Sequence, residues 1–156
     1  MKAGDEIPTL KVTPDKYLTV RYAGASGDFN PIHIDDDFAR QVGLPGKILH
    51  GLWTMAQVAR AATEAAGGPH TLKRLAVSFR GMGVPEHEIT VTGEAKEERD
   101  GRVVTAAEAE QGGNKIIKNA EAEIASTPSS RTYGSREAMP RMSPTPSPSE
   151  SWNERG

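Results

Sequence analysis

Residues 52–79 read LWTMAQVARAATEAAGGPHTLKRLAVSF, and this stretch decides the fold. Leu52 to Ala66 is apolar almost all round, with Gln57, Arg60 and Thr63 or Glu64 forming a narrow polar stripe at helical spacing, so a largely buried helix is expected. Gly67, Gly68 and Pro69 stop it. Beyond Pro69 the apolar period switches from helical to two: Leu75, Val77 and Phe79 alternate with Ala76, Ser78 and Arg80 in a strand. Three more strands follow, from Ile89 to Lys96, Val103 to Glu110 and Ile116 to Ala125, with turns at Arg99-Asp100-Gly101 and Gly112-Gly113-Asn114. One buried helix followed by an antiparallel meander is an α+β layout, with the sheet expected to wrap around that helix.

Upstream, Thr13, Pro14 and Asp15 combine a cap, a proline for the first helical position and an acid for the first turn, predicting a short helix to about Ala25. Asp35, Asp36 and Asp37 open a second short helix that stops at Gly43, their charges suited to the positive end of its dipole, and Pro45-Gly46 marks a loop. Downstream, residues 126–156 hold five of the chain's eleven prolines and no periodic apolar pattern, so the folded domain is expected over 1–125 and a disordered Pro/Ser-rich tail over 126–156. Within 156 residues, 36% hydrophobic and 5% aromatic, the core must be modest and aliphatic, which leaves room for stabilisation by a partner subunit. A net charge of −2 supplies no global basic field, which argues against nucleic acid as a partner. The absence of cysteine excludes disulfides, thiol nucleophiles, cysteine-ligated zinc and iron–sulfur clusters. MKAGDEIPTL lacks the apolar region of a signal peptide and no run nears the ~18 apolar residues of a membrane span, so a cytoplasmic protein without a membrane partner is expected.

Chemistry concentrates in residues 22–33, YAGASGDFNPIH. Gly27 permits a tight backbone approach and Pro31 pushes Asn30 out of helical conformation, so Asp28 and His33 are expected on one constrained loop facing one pocket. A carboxylate beside an imidazole forms an acid–base pair able to move protons between water and carbon, and Asn30 is placed to orient either partner. Gly51 lies at the start of the buried helix, where a backbone N–H can hold a developing negative charge, whereas His50 reads as structural. His70 and His87 fall in loops and read as solvated. No metal is expected: Asp35 to Asp37 point in different directions on a helix, there is no Asp-x-Asp-x-Asp-Gly loop, and one histidine is a thin ligand set.

The residues Gly27, Asp28, Asn30, Pro31, Ile32 and His33, with Ala39 six positions on, closely resemble the signature of the MaoC-like hydratase family, which includes (R)-specific enoyl-CoA hydratases and 3-hydroxyacyl-carrier-protein dehydratases. The resemblance extends through Ile48-Leu49-His50-Gly51-Leu52 and the segment from Val84-Pro85 to Gly93, spanning roughly Lys11 to Ala125. It implies a hot-dog fold, with the sheet wrapped around the central helix. It also implies reversible hydration of trans-2-enoyl thioesters to (R)-3-hydroxyacyl thioesters in fatty-acid metabolism, with Asp28 and His33 catalytic. No cofactor is implied, the substrate being carried as a coenzyme A or acyl-carrier-protein thioester, and a homodimer or a heterodimer with a related hot-dog subunit is expected. Two alternatives stand beside this one. The chain is an acyl-binding partner subunit of a heteromeric dehydratase, against which the retained Asp28, Asn30 and His33 argue; or it is a hot-dog thioesterase, against which the lack of a carboxylate from Leu52 to Val58 argues. Trp53 departs from the pattern as a bulky residue expected to restrict the acyl tunnel.

Overall fold

The computed structural model describes residues 1–126. Its elements are β1 (Glu6–Val12), α1 (Leu18–Ser26), α2 (Pro31–Ile34), α3 (Asp36–Gln41), α4 (Gly51–Ala65), a 3₁₀ turn (Pro69–Thr71), β2 (Leu72–Phe79), β3 (Ile89–Arg99), β4 (Arg102–Gln111) and β5 (Asn114–Ala125). The strands form one sheet in the order β1-β3-β4-β5-β2, with every neighbouring pair antiparallel. Helix α4 contacts all five strands, and Val58, Ala61 and Ala62 on its inner side pack against Ile89, Val91, Ala107, Ala109 and Ile117. The small alanines on both layers let the helix sit close to the concave sheet. This is the hot-dog arrangement that the family resemblance implies.

Strands β3, β4 and β5 form the expected meander. Its turns carry positive φ at both central residues, Asp100 (52°) and Gly101 (71°), then Gly112 (55°) and Gly113 (81°), the conformation that two-residue hairpins favour. The expectation fails at β2, which pairs with β5 and not with β3, so residues 80–88 cross from one edge of the sheet towards the other. The sequence also gives no sign of β1. Pro8 and a register shift between Ile7 and Leu10 break its alternation, and both features are tolerated because β1 is an edge strand.

Helix α1 starts later than Thr13-Pro14-Asp15 suggests: Tyr17 is its N-cap. Asp15 instead accepts the Tyr17 N–H (2.8 Å) and pairs with Arg21 (2.5 Å), whose guanidinium is the main cause holding the Asp15 carboxyl below its ordinary pKa. Gly27, at φ 77°, closes the helix in the left-handed conformation that glycine adopts freely. In α4 the outward row is Leu52, Ala56, Arg60 and Glu64, not the stripe through Gln57 and Thr63. Those two side chains are buried because each finds a partner on its own helix, Gln57 donating to the Trp53 carbonyl and Thr63 to that of Arg60. Ser126, expected as the start of the tail, still bonds through its N–H and hydroxyl to the Gly101 carbonyl. The remainder of the expected tail lies outside the described residues.

The crossover after β2 is pinned from inside. Gln111, buried at the end of β4, donates to the carbonyls of Val84 and His87 (2.9 Å each) and accepts the Val84 N–H (2.8 Å). Gly83 in the same segment accepts the Leu49 N–H (2.8 Å), and a Cβ at Gly83 would stand 2.9 Å from Leu49 Cδ1. The segment is thereby docked against the residues leading into α4. Gln111→Leu would orphan three part-buried backbone groups and is expected to cost about 2–3 kcal/mol. A lower urea midpoint with unchanged slope is the expected reading; an unchanged midpoint contradicts it.

Candidate functional site

Three short structures assemble the site. Asp28 lies in the loop after α1, His33 in the single turn of α2, and Gly51 at the first position of α4. Asn30 makes the second of these possible. Its Oδ1 accepts the Ile32 N–H (3.2 Å), capping α2, while Pro31 occupies the first helical position. His33 is thus carried on a capped helical turn, where the sequence predicts a constrained loop. Among the described residues the Asn30 side chain hydrogen-bonds neither Asp28 nor His33; it acts on His33 by capping the turn that carries it.

Asp28 splits its two oxygens between tasks. Oδ1 accepts the Asn30 N–H (3.2 Å), and Oδ2 faces His33 Nε2 at 3.9 Å. The carboxylate is about half exposed (52%) and the imidazole nearly buried (10%). His33 Nδ1 lies 2.9 Å from the Ile48 carbonyl oxygen, which can only accept, so the ring proton is assigned to Nδ1 and the lone pair to Nε2, towards Asp28. The 3.9 Å gap is too long for a direct hydrogen bond, but one oxygen atom can lie about 2.8 Å from both groups.

His50, expected from sequence to be structural, lies directly behind the pair. Its ring is stacked on that of His33, with centroids 3.9 Å apart and planes at 23°, and Tyr22 leans against it with centroids 4.8 Å apart. His50 Nε2 lies 3.0 Å from the Asp28 main-chain carbonyl, and Nδ1 is buried with no hydrogen-bond partner among the described residues. The sequence signal was its position next to Gly51, which carries no information about a loop 22 residues away. Gly51 joins Tyr22, Ser26, Asp28, His50, Leu52 and Phe79 around a cleft of about 250 Å³; of the pair expected to face one pocket, Asp28 lines it and the nearly buried His33 does not. Being the first residue of α4, Gly51 has an N–H with no acceptor inside the helix. Trp53 is not among the lining residues. It packs against the core, and Leu52 and Phe79 supply the apolar wall in its place. A roomier groove of about 620 Å³ lies across β1, β3 and β4 around Glu6, Thr92 and Glu94, and it holds neither Asp28 nor His33.

Donor atoms of Asp28, His33 and His50 lie within 4.8 Å of one another, a spacing compatible with a metal ion. Backbone carbonyls already occupy His33 Nδ1 and His50 Nε2, and the other His50 nitrogen is sealed from solvent. The Asp28 carboxylate and His33 Nε2 remain, fewer than the three protein ligands of an ordinary catalytic zinc site. The aspartate triplet has separate work. Asp35 caps α3 through the N–H groups of Asp37 and Phe38, Asp36 accepts the Lys47 N–H, and Asp37 pairs with Arg40. His70 and His87 are exposed. No helix among the described residues is long and apolar enough to cross a membrane.

The pattern of the MaoC like domain matches residues 2–118. The chain is 37% identical over 120 residues to the fatty acid synthase subunit beta of Aspergillus oryzae, covering 74% of this chain but only 6% of that protein. It is 39% identical over 56 residues to the peroxisomal enoyl-CoA hydratase 2 of Arabidopsis thaliana, covering 35% of this chain and 18% of the relative. Among solved structures, a MaoC-like dehydratase superposes with a TM-score of 0.77 at 29% identity, covering 81% of this chain and 41% of the other. The chain therefore spans a small part of the length of these curated relatives.

Proposed function

The chain belongs to the MaoC-like domain family, and from that premise we propose that it is a hydro-lyase adding water reversibly across the double bond of a trans-2-enoyl thioester, giving the (R)-3-hydroxyacyl thioester. One observation carries the reading: the Asp28 carboxylate and the His33 Nε2 lone pair face each other across 3.9 Å beside a cleft that contains Gly51. In hydration, one water bridges the pair. Asp28 takes a proton as the water oxygen bonds to C3, and the π electrons move towards the thioester oxygen, which the Gly51 N–H holds as it becomes enolate-like. The proton taken by Asp28 is relayed to C2 through His33 Nε2, whose lone pair can accept it, so that both groups return to their starting states. Dehydration runs these steps backwards. The reaction uses no metal or organic cofactor in this reading, and the acyl group arrives on a phosphopantetheine arm, of coenzyme A or of acyl carrier protein.

A second hot-dog chain, identical or related, completes the assembly in the same reading. Among the described residues β2 is an edge strand, and Phe79 at its end and Leu52 beside the cleft are 47% and 63% exposed, so a partner along that edge would cover apolar surface next to the site. Thioester hydrolysis has less support. The first carboxylate on α4 is Glu64, in its last turns about 20 Å along the helix from Gly51, and it is paired with Arg60 (2.7 Å). The test is to mix the purified full chain with crotonyl-CoA and longer trans-2-enoyl-CoAs and with the matching carrier-protein thioesters. Loss of conjugated-thioester absorbance and the C3 configuration of the product are then followed. Formation of the (R)-3-hydroxyacyl thioester is the expected result. Release of free thiol without hydration, or a folded chain that hydrates none of these substrates, overturns the reading.

A further inference from the structure

The Asp28–His33 pair is held from behind by one extended segment, Ile48 to His50. Ile48 secures the histidine: its N–H donates to the Ile32 carbonyl (3.0 Å) and its carbonyl receives His33 Nδ1–H (2.9 Å). Two residues on, His50 reaches the aspartate, with Nε2 3.0 Å from the Asp28 main-chain oxygen. Leu49, between them, is anchored to Gly83. All three residues are buried, His50 at 2% exposure. Asn30 links the two halves of the pair locally, its N–H on Asp28 Oδ1 and its side chain capping the turn that carries His33, and the Ile48–His50 segment adds a second, long-range tie that holds the Asp28 main chain and the His33 ring from one side.

We propose that His50 is a positioning residue for the hydration reaction: its Nε2–H, donated to the Asp28 carbonyl, fixes the Asp28 carboxylate relative to His33. The proposal rests on the hydratase reading above. The ring stacks on His33 and packs against Tyr22, and with the residue 2% exposed the imidazole has little freedom to swing away from Asp28. A carbonyl acceptor requires a proton on Nε2, and Nδ1 is buried with no hydrogen-bond partner among the described residues. A tie between main chain and side chain constrains Asp28 without using either carboxylate oxygen, so Oδ2 stays free for a reactant.

Two variants separate the tie from the packing. His50→Phe keeps a flat ring between Tyr22 and His33 and removes the donor, whereas His50→Gln sends an amide N–H towards the same carbonyl and removes the ring. Displacements of about 1 Å at a reacting group can cost about a hundredfold in rate. His50→Phe is therefore expected to lose about ten- to a hundredfold in kcat with KM changed less than about threefold, and His50→Gln to recover most of that loss despite poorer packing. Retention of kcat by His50→Phe, or equal losses in both variants that track a fall in Tm, overturns the proposal. A wild-type measurement stands beside them: long-range 1H–15N spectra are expected to show His50 protonated at Nε2, and an Nδ1–H tautomer overturns the tie directly. An inactive wild type removes the hydratase reading and this proposal with it, while an active wild type with an unimpaired His50→Phe removes only this one.

Discussion

Asp28→Asn is expected to lower kcat for enoyl-thioester hydration by about 10²–10⁴-fold, the usual contribution of a positioned acid or base. The substitution isolates the chemistry. Asn retains an oxygen that can accept the Asn30 N–H, now bound to Oδ1, and exchanges only the group facing His33 for one that cannot take a proton. Because the side chain is half exposed, Tm should move by no more than a few degrees. His33→Ala should lose a comparable factor in rate. It should also lose some stability, since the ring is nearly buried and bonds the Ile48 carbonyl. Steady-state kinetics with thermal unfolding of the same preparations checks both. Near-normal turnover in the two variants would remove the acid–base pair from the mechanism.

Gly51→Pro is expected to cost about 10²–10³-fold in kcat, the loss seen when one oxyanion donor is removed. Proline is suited to this place because it deletes the N–H at the first helical position, where the helix does not use it. The preceding residue, His50, already has φ −63° and ψ 130°, the extended conformation that a following proline demands. Gly51→Ala is the control, since it keeps the N–H. Its Cβ would stand 3.2 Å from Phe79 Cε1, at the outer end of a half-exposed side chain that can yield, so less than a tenfold loss is expected. A proline variant as active as the alanine variant would take the oxyanion role from the Gly51 amide.

The two substitutions act on opposite sides of the reacting atoms. Asp28 serves proton transfer and attack at C3, whereas Gly51 serves the charge that collects on the thioester oxygen. A transition state that uses both should give a double variant whose loss falls short of the product of the single losses, because groups acting on one step are not additive.

Several features of this protein were set by local sequence chemistry alone. The apolar run from Leu52 to Ala66 forms a helix, the period-two stretches from Ile89 onward form strands, and Asp100-Gly101 and Gly112-Gly113 form their hairpins. Each signal acts within a few residues, through periodicity or the left-handed conformations that tight turns require. In the motif from Gly27 to His33 the constraint itself was legible, through the local effects of Gly27 and Pro31, whereas the helix end at Gly27 and the turn that Asn30 caps emerged only in the structure. Tertiary structure decided the rest. Strand β1 is a strand because β3 lies beside it, and β2 takes the far edge because β5 offers pairing partners about 40–50 residues away in sequence. Gln57 and Thr63 turn inward although they are polar, since α4 has strands on several sides and its own carbonyls can satisfy them. His50 gains its contacts only when the segment before α4 folds across the Asp28 loop, bringing together residues 22 apart. Such contacts depend on the closure of long chain segments, whose geometry no short window of sequence records.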